Sequence, residues 1–169
     1  MAREQTEGHR KSIWSIENEE SIETLESLDK LYNDYKTKVD FITITKDNQS
    51  DVRNFLNNIQ MASLVEAIQQ AEDHSTGEIR VHIDQNSDDN NAKIAFDVFK
   101  SLGMDKTKER NGVLFHVNFE QKYLTIIGDK GINDVVESDF WDCTKDTVIA
   151  NFKEGNFKKG LVEGILKAG

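Results

Sequence analysis

Oxygen-bearing side chains stand at three points of the chain where predicted strands begin or end. Glu78 opens one strand, and Glu109 and Asn111 precede a second. Asp129 follows a third strand, within the run GlyAspLysGly (128–131). Carboxylate and amide oxygens are the hard ligands that Ca²⁺ and Mg²⁺ prefer. These four residues therefore predict a site for a divalent cation, with Ca²⁺ as the first choice and Mg²⁺ as the alternative.

Two arginines near these oxygens suit a phosphate group. Arg110 lies between Glu109 and Asn111, and Arg80 shares a strand face with Glu78. A guanidinium binds phosphate oxygens well, and a metal beside it would neutralise a phosphate ester. Weak phosphatase activity is therefore a further prediction. No residue stands out as a nucleophile, however, so the sequence does not establish an enzyme, and the alternative is a non-catalytic protein-interaction or accessory module.

Each of these residues also has a purely structural interpretation. Asp129 suits a turn in which its side chain caps the next helix. Glu78 suits an edge strand with one solvated face, whereas a covered face would require polar partners. His82 and His116 are expected to be structural histidines with satisfied hydrogen bonds rather than ligands.

Hydrophobic periodicity predicts the elements that position these residues. A helix begins at Ser63, or earlier near Asn58, and a second helix ends at Gly103. Strands are predicted at 78–84, 112–119 and 123–127, and two more helices at 138–154 and 157–168. Cys143 is expected to pack within the first of these two helices. The predicted fold class is α/β, a three-layer α/β/α sandwich on a small mixed sheet of Rossmann-like type.

The order of these elements predicts where the strand ends meet. The strand–helix–strand unit over 78–119 gives a parallel pair, and the short connection 120–122 makes the third strand antiparallel. The carboxyl end of the third strand then lies beside the amino ends of the other two. This arrangement gathers Glu78, Glu109, Asn111 and Asp129 at one edge of the sheet, hereafter the acidic edge.

The first fifty residues are predicted to form an extension, residues 1–50, of a main domain at 51–169. Helical spacing runs from Ile22 to Tyr35, and the β-branched run ValAspPheIleThrIleThr (39–45) predicts a strand. One helix and one strand are too few to fold alone. We therefore expect the extension to dock on the main domain.

The composition narrows the set of partners. The chain has 169 residues and a net charge of −10, which repels nucleic-acid backbones and anionic membrane surfaces. It contains no run of about 18 apolar residues, so no membrane insertion is expected. The first residues lack the apolar core of a signal peptide, which favours a cytoplasmic location. The expected partners are a divalent cation and an unidentified protein.

Several runs, taken together in this order, resemble the TPM domain family, whose name combines thylakoid-lumen, photosystem II repair and receptor-modulator proteins. They are SerThrGlyGluIleArgValHisIle (75–83), LeuGlyMet (102–104), ArgAsnGlyValLeu (110–114), IleIleGlyAspLysGlyIle (126–132), PheTrp (140–141) and GlyLeuValGluGlyIle (160–165). The resemblance covers about residue 55 to the end and is greatest to short, soluble bacterial members. It implies an α/β/α sandwich. Some members are described as acid phosphatases, some bind calcium, and others are accessory factors.

Overall fold

The computed structural model describes residues 42–44, 55–85 and 89–169. The strands are β1 (Ile42–Ile44), β2 (Glu78–Asp84), β3 (Gly112–Asn118) and β4 (Tyr123–Gly128). The helices are α1 (Asn58–His74), α2 (Asn91–Ser101), α3 (Lys130–Asn133), α4 (Phe140–Lys153) and α5 (Phe157–Ala168), with a 3-10 turn at Met104–Lys106. The helix predicted from Ile22 to Tyr35 lies outside the described residues. Among the helices of the described ranges, none is long and apolar enough to cross a bilayer.

Four strands form one mixed sheet in the order β1-β2-β3-β4. β2 and β3 are parallel along their full length, from the pair Glu78–Gly112 to the pair Asp84–Asn118. β4 is antiparallel to β3, so the predicted topology is confirmed. β1, which is part of the strand predicted at 39–45, pairs in parallel with the outer side of β2.

Helices cover both faces of the sheet, which confirms the three-layer sandwich. The larger core lies on the face that carries Ile79, Val81 and Phe115, where α1, α4 and α5 pack. On the opposite face, α2 and the 3-10 turn bury Phe99, Met104 and Leu114 in a second, smaller cluster. β2 and β3 are therefore buried between two layers, as is usual for the parallel part of an α/β sheet.

The start of α1 is set by a local capping interaction. α1 begins after Asn57, whose side chain accepts a hydrogen bond from the Gln60 backbone N–H while the Gln60 side chain accepts from the Asn57 N–H. This capping box confirms the earlier of the two predicted starts, near Asn58. α4 begins at Phe140, after Asp139, rather than at Ser138.

Cys143 is exposed, so the prediction that it packs within its helix was wrong. α4 buries Thr144, Val148 and Asn151, which recur at the spacing of one helix face. Cys143 lies one residue before Thr144, and one residue turns the helix by about 100°. Its side chain therefore points away from the buried face.

The domain boundary predicted at residue 51 is tested by comparing a chain that begins at residue 39 with one that begins at residue 51. Both should unfold cooperatively, but the shorter chain should lose about 2–3 kcal/mol of unfolding free energy. It lacks Ile42, which is buried, and burial of an isoleucine side chain is worth about 1.5–3 kcal/mol. It also uncovers the side of β2 that pairs with β1. Urea unfolding measures the difference.

Two results would contradict that expectation. Equal stabilities would mean that β1 contributes nothing to the sheet. Loss of any cooperative transition in the shorter chain would place residues 39–50 inside the domain rather than in an extension.

Candidate functional site

Three backbone hydrogen bonds hold the segments of the acidic edge together. The N–H of Glu78 donates to the carbonyl of Asn111 at 3.3 Å, and the N–H of Asp129 donates to Gly112 at 2.9 Å. The N–H of Gly131 donates to the carbonyl of Arg110 at 2.7 Å. A side chain at Gly131 would collide with the carbonyl oxygens of Glu109 and Arg110, so only glycine allows this approach. The convergence predicted from the strand order is present in the fold.

Asp129 is the most buried carboxylate at this edge, and it has two roles. Its Oδ1 accepts a hydrogen bond from the Lys130 N–H at 2.8 Å, so it caps α3 as the structural interpretation predicted. Arg110 also donates to both of its oxygens, from Nε to Oδ2 at 2.6 Å and from Nη2 to Oδ1 at 2.8 Å. The Arg110 hydrogen bonds, and the capping bond, hold the pKa of Asp129 below its usual value. The same pairing raises the pKa of Arg110.

The other predicted residues of the edge have separate partners. Asn111 donates its amide N–H groups to the backbone and hydroxyl oxygens of Thr76. Glu109 lies 3.6 Å from the ammonium of Lys108, and Glu78 lies 4.0 Å from Arg80. Arg80 is closer to Glu72, at 3.6 Å, on the preceding helix. Of the six predicted metal- and phosphate-binding residues, only Arg110 and Asp129 are joined by side-chain hydrogen bonds of less than 3 Å.

The donor atoms of this edge suit a hard cation, but they are partly neutralised. Glu78 and Glu109 are about half exposed, and their ion pairs are long, so their oxygens remain accessible. Surface pairs of this kind contribute about 0–1 kcal/mol and open readily. Asp129 is 7% exposed and would have to release Arg110 before it could bind an ion directly. Binding of a cation through Asp129 would therefore require displacement of Arg110.

A second polar group lies in the middle of the sheet, on the face that α2 covers. His82 on β2 stands directly opposite His116 on β3. Their Nδ1 atoms are 3.0 Å apart, and the rings stack with centroids 5.0 Å apart and an angle of 11° between their planes. Two neutral imidazoles can make this contact only if one donates and the other accepts. The Nε2 atom of His116 is buried and has no hydrogen-bond partner.

Asp84 completes the group of side chains that could hold a metal ion. One nitrogen of each histidine and one carboxylate oxygen of Asp84 lie within 4.8 Å of one another. Among the described residues this is the one group of three histidine, cysteine or acidic side chains with that geometry. All three are buried, with exposures of 7% for His82, 4% for Asp84 and 0% for His116.

Sequence reasoning did not select these residues. It assigned both histidines structural roles with satisfied hydrogen bonds, and the unpartnered Nε2 of His116 contradicts that expectation. A signal was present, because Arg80, His82 and Asp84 alternate along one face of a strand. What the sequence lacked was the register that sets His116 beside them.

The fold defines this chain as a small α/β/α domain with polar groups at one sheet edge and beneath one helix. The TPM domain family matches residues 49–169, which is well over half of the chain. The chain therefore belongs to the TPM domain family, in agreement with the resemblance seen in its motifs. Among curated proteins, no match was found.

Solved structures support this assignment. The BA42 protein from the psychrophilic bacterium Bizionia argentinensis is 51% identical, with a TM-score of 0.64, over 68% of this chain and 79% of that one. The N-terminal domain of the cg2496 protein from Corynebacterium glutamicum is 11% identical, with a TM-score of 0.57, over 78% of each chain. An N-terminal domain from P. gingivalis is 18% identical, with a TM-score of 0.51, over 81% of this chain and 84% of that one. The last two show the shared fold alone.

Acid should destabilise the metal-free protein through the two buried histidines. Burial lowers the pKa of His82, and burial together with the neighbouring His82 lowers the pKa of His116 to about 4. Because an unfolded histidine titrates near 6.5, the unfolded chain binds more protons than the folded one between these values. The unfolding free energy should therefore fall as the pH drops from about 6.5 to about 4, by up to about 1.4 kcal/mol per pH unit for each proton.

Urea unfolding at pH 7, 6 and 5, in the presence of a chelator, measures this decline. The decline should be smaller in His116→Leu, which removes one of the buried imidazoles. His74→Gln is the matched control because it removes an exposed histidine, and it should follow the wild type. If the unfolding free energy of His116→Leu fell with pH as steeply as that of the wild type, the decline would not come from the buried histidines.

Proposed function

We propose that this TPM domain binds a divalent cation at the acidic edge, with Ca²⁺ as the ion and Glu78, Glu109, Asn111 and Asp129 as ligands. The observation that carries the proposal is the set of backbone hydrogen bonds that holds the three segments together. Carboxylate and carbonyl oxygens are the ligands of Ca²⁺, which accepts six to eight of them in flexible geometry. A chain with a net charge of −10 also attracts cations from solution.

Arg110 acts as the counter-ion of Asp129 when no cation is bound. Its guanidinium occupies both carboxylate oxygens, so an arriving ion competes with it. Arg110 has a φ of 51°, a left-handed conformation that is uncommon for residues other than glycine. Such conformations concentrate at ligand sites and switch regions. On this proposal, Arg110 lowers the affinity for Ca²⁺ and turns outward when the ion binds.

Two substitutions at the ion pair should change Ca²⁺ affinity in opposite directions. Asp129→Asn should weaken binding by a factor of ten or more, because it removes a charged ligand; each tenfold change is about 1.4 kcal/mol. Arg110→Gln should strengthen binding, because it frees the carboxylate without changing the ligand set. Calorimetric titration with CaCl₂ measures both effects.

Asp97→Asn is the matched control for charge. Asp97 also pairs with a basic side chain, Lys93 at 3.1 Å, but it is exposed on α2. Its loss changes the net charge as Asp129→Asn does, so it should leave the affinity almost unaltered. Equal losses in the two asparagine variants would mean that binding is only diffuse attraction. Weaker binding in Arg110→Gln would contradict the proposed competition.

Weak phosphatase activity is the enzymatic part of the proposal, and Arg110 supports it. Once released from Asp129, its guanidinium could hold two oxygens of a phosphate ester, with Arg80 as a second candidate. A bound cation would supply charge neutralisation at the phosphate. Turnover of p-nitrophenyl phosphate should then require Ca²⁺ and be abolished in both Asp129→Ala and Arg110→Gln. Turnover that survives both substitutions would place the activity elsewhere or in a contaminant.

The alternative is a non-catalytic protein-interaction or accessory module. The pairing of each edge carboxylate with a basic side chain favours it, because a neutralised edge is easier to bury against a partner. In that case Arg110→Gln would raise Ca²⁺ affinity while no phosphate ester was turned over. A protein partner and a cytoplasmic location remain predictions from the sequence.

A further inference from the structure

We propose that His82, Asp84 and His116 form a second metal site, specific for a borderline first-row ion such as Zn²⁺ rather than Ca²⁺. This site goes beyond the cation proposed at the acidic edge. It lies under α2, in the middle of the sheet, and shares no ligand with that edge. Two imidazoles and one carboxylate are a ligand set typical of zinc and related ions, and Ca²⁺ takes oxygen ligands instead.

The separation of the two histidine nitrogens fits a shared ion. An ion about 2.0–2.1 Å from each nitrogen, at a right or tetrahedral angle, separates them by about 2.9–3.4 Å. The Nδ1 atoms of His82 and His116 are 3.0 Å apart. The facing positions on paired parallel strands therefore already hold two ligands at the required spacing. Asp84, two residues beyond His82 on the same face, places a carboxylate oxygen within 4.8 Å of one ring nitrogen of each histidine.

The three proposed ligands differ from an ordinary cluster of surface carboxylates because they are buried. All three side chains are at least nine-tenths buried, where an unpaired charge or an unpaired polar atom is costly. The Asp84 carboxylate accepts a hydrogen bond from the Gln85 N–H at 2.8 Å, which holds one of its oxygens in place. A divalent ion held by this carboxylate and two neutral imidazoles would have one of its two charges neutralised by Asp84.

The buried Nε2 atom of His116 fits the tautomer that a bound ion would require. If Nδ1 of His116 binds an ion, its proton must sit on Nε2, which then needs an acceptor. Nε2 is buried without a hydrogen-bond partner, and so is Oγ1 of Thr125. Thr125 is the residue that faces His116 across the β3–β4 pair. A rotation of the threonine hydroxyl toward the ring would supply the outer hydrogen bond that metal-binding histidines make.

The experiment uses the full chain, stripped of metal with a chelator and then titrated with Zn²⁺, and with Co²⁺ as an optical probe. The wild type should bind one ion tightly. His116→Gln should weaken binding by at least about tenfold, because even the loss of an outer-shell partner costs about 10–100-fold. His74→Gln, which alters an exposed histidine, and Asp129→Asn, which alters the acidic edge, should bind as the wild type does.

Imidazole NMR signals of the wild type give a second measurement that does not depend on the folding of a variant. The chain has four histidines, at positions 9, 74, 82 and 116. Zn²⁺ should shift the ring signals of His82 and His116 and leave the other two in place, and millimolar Ca²⁺ should not reproduce the shift. Unshifted His82 and His116 signals, undiminished binding by His116→Gln, or loss of Zn²⁺ binding in Asp129→Asn would each overturn the proposal.

Discussion

The parallel pairing of β2 with β3 is the interaction on which both candidate sites depend. Its seven residue pairs run from Glu78–Gly112 to Asp84–Asn118, and helices bury both faces of the two strands. Because side chains alternate between faces, a shift of one residue in this register would move every side chain of a strand to the other layer. The apolar residues of the larger core exclude such a shift. The hydrophobic packing on one face thereby fixes the positions of the polar groups on the other.

The same pairing separates the two sites along the strand. Glu78 begins β2 and His82 lies four residues further on, which corresponds to about 13 Å at about 3.3 Å per residue. At the acidic edge, Glu78 and Glu109 are about half exposed, and the edge offers hard oxygen ligands. The histidine group is buried and offers nitrogen ligands with one carboxylate. Differences in ligand chemistry and in access to water would therefore let each proposed site select its own class of ion.

At the acidic edge, the neighbouring basic side chains affect the carboxylates more than the net charge of the chain does. The chain carries a net charge of −10, yet Glu78, Glu109 and Asp129 each have a basic side chain within 4.0 Å. A cation that bound these carboxylates would replace their basic partners, so its binding free energy would be only the difference between the two sets of contacts. The ion pair of Arg110 with Asp129 has the shortest distances of these contacts, so it has the largest influence on what the edge can bind.

The sequence by itself determined the α/β class, the parallel unit followed by a hairpin, the convergence of three strand ends and membership of the TPM domain family. These follow from periodicity, turn residues and ordered motifs, which are local properties of the chain. Only the tertiary structure decided that Arg110 occupies the oxygens of Asp129, that β1 borders β2, and that His82 faces His116. Residues 82 and 116 are 34 positions apart, and residues 110 and 129 are 19 apart. Contacts between residues so far apart in the sequence depend on strand register and side-chain rotamers. Both are set by the packing of the whole core rather than by any local pattern.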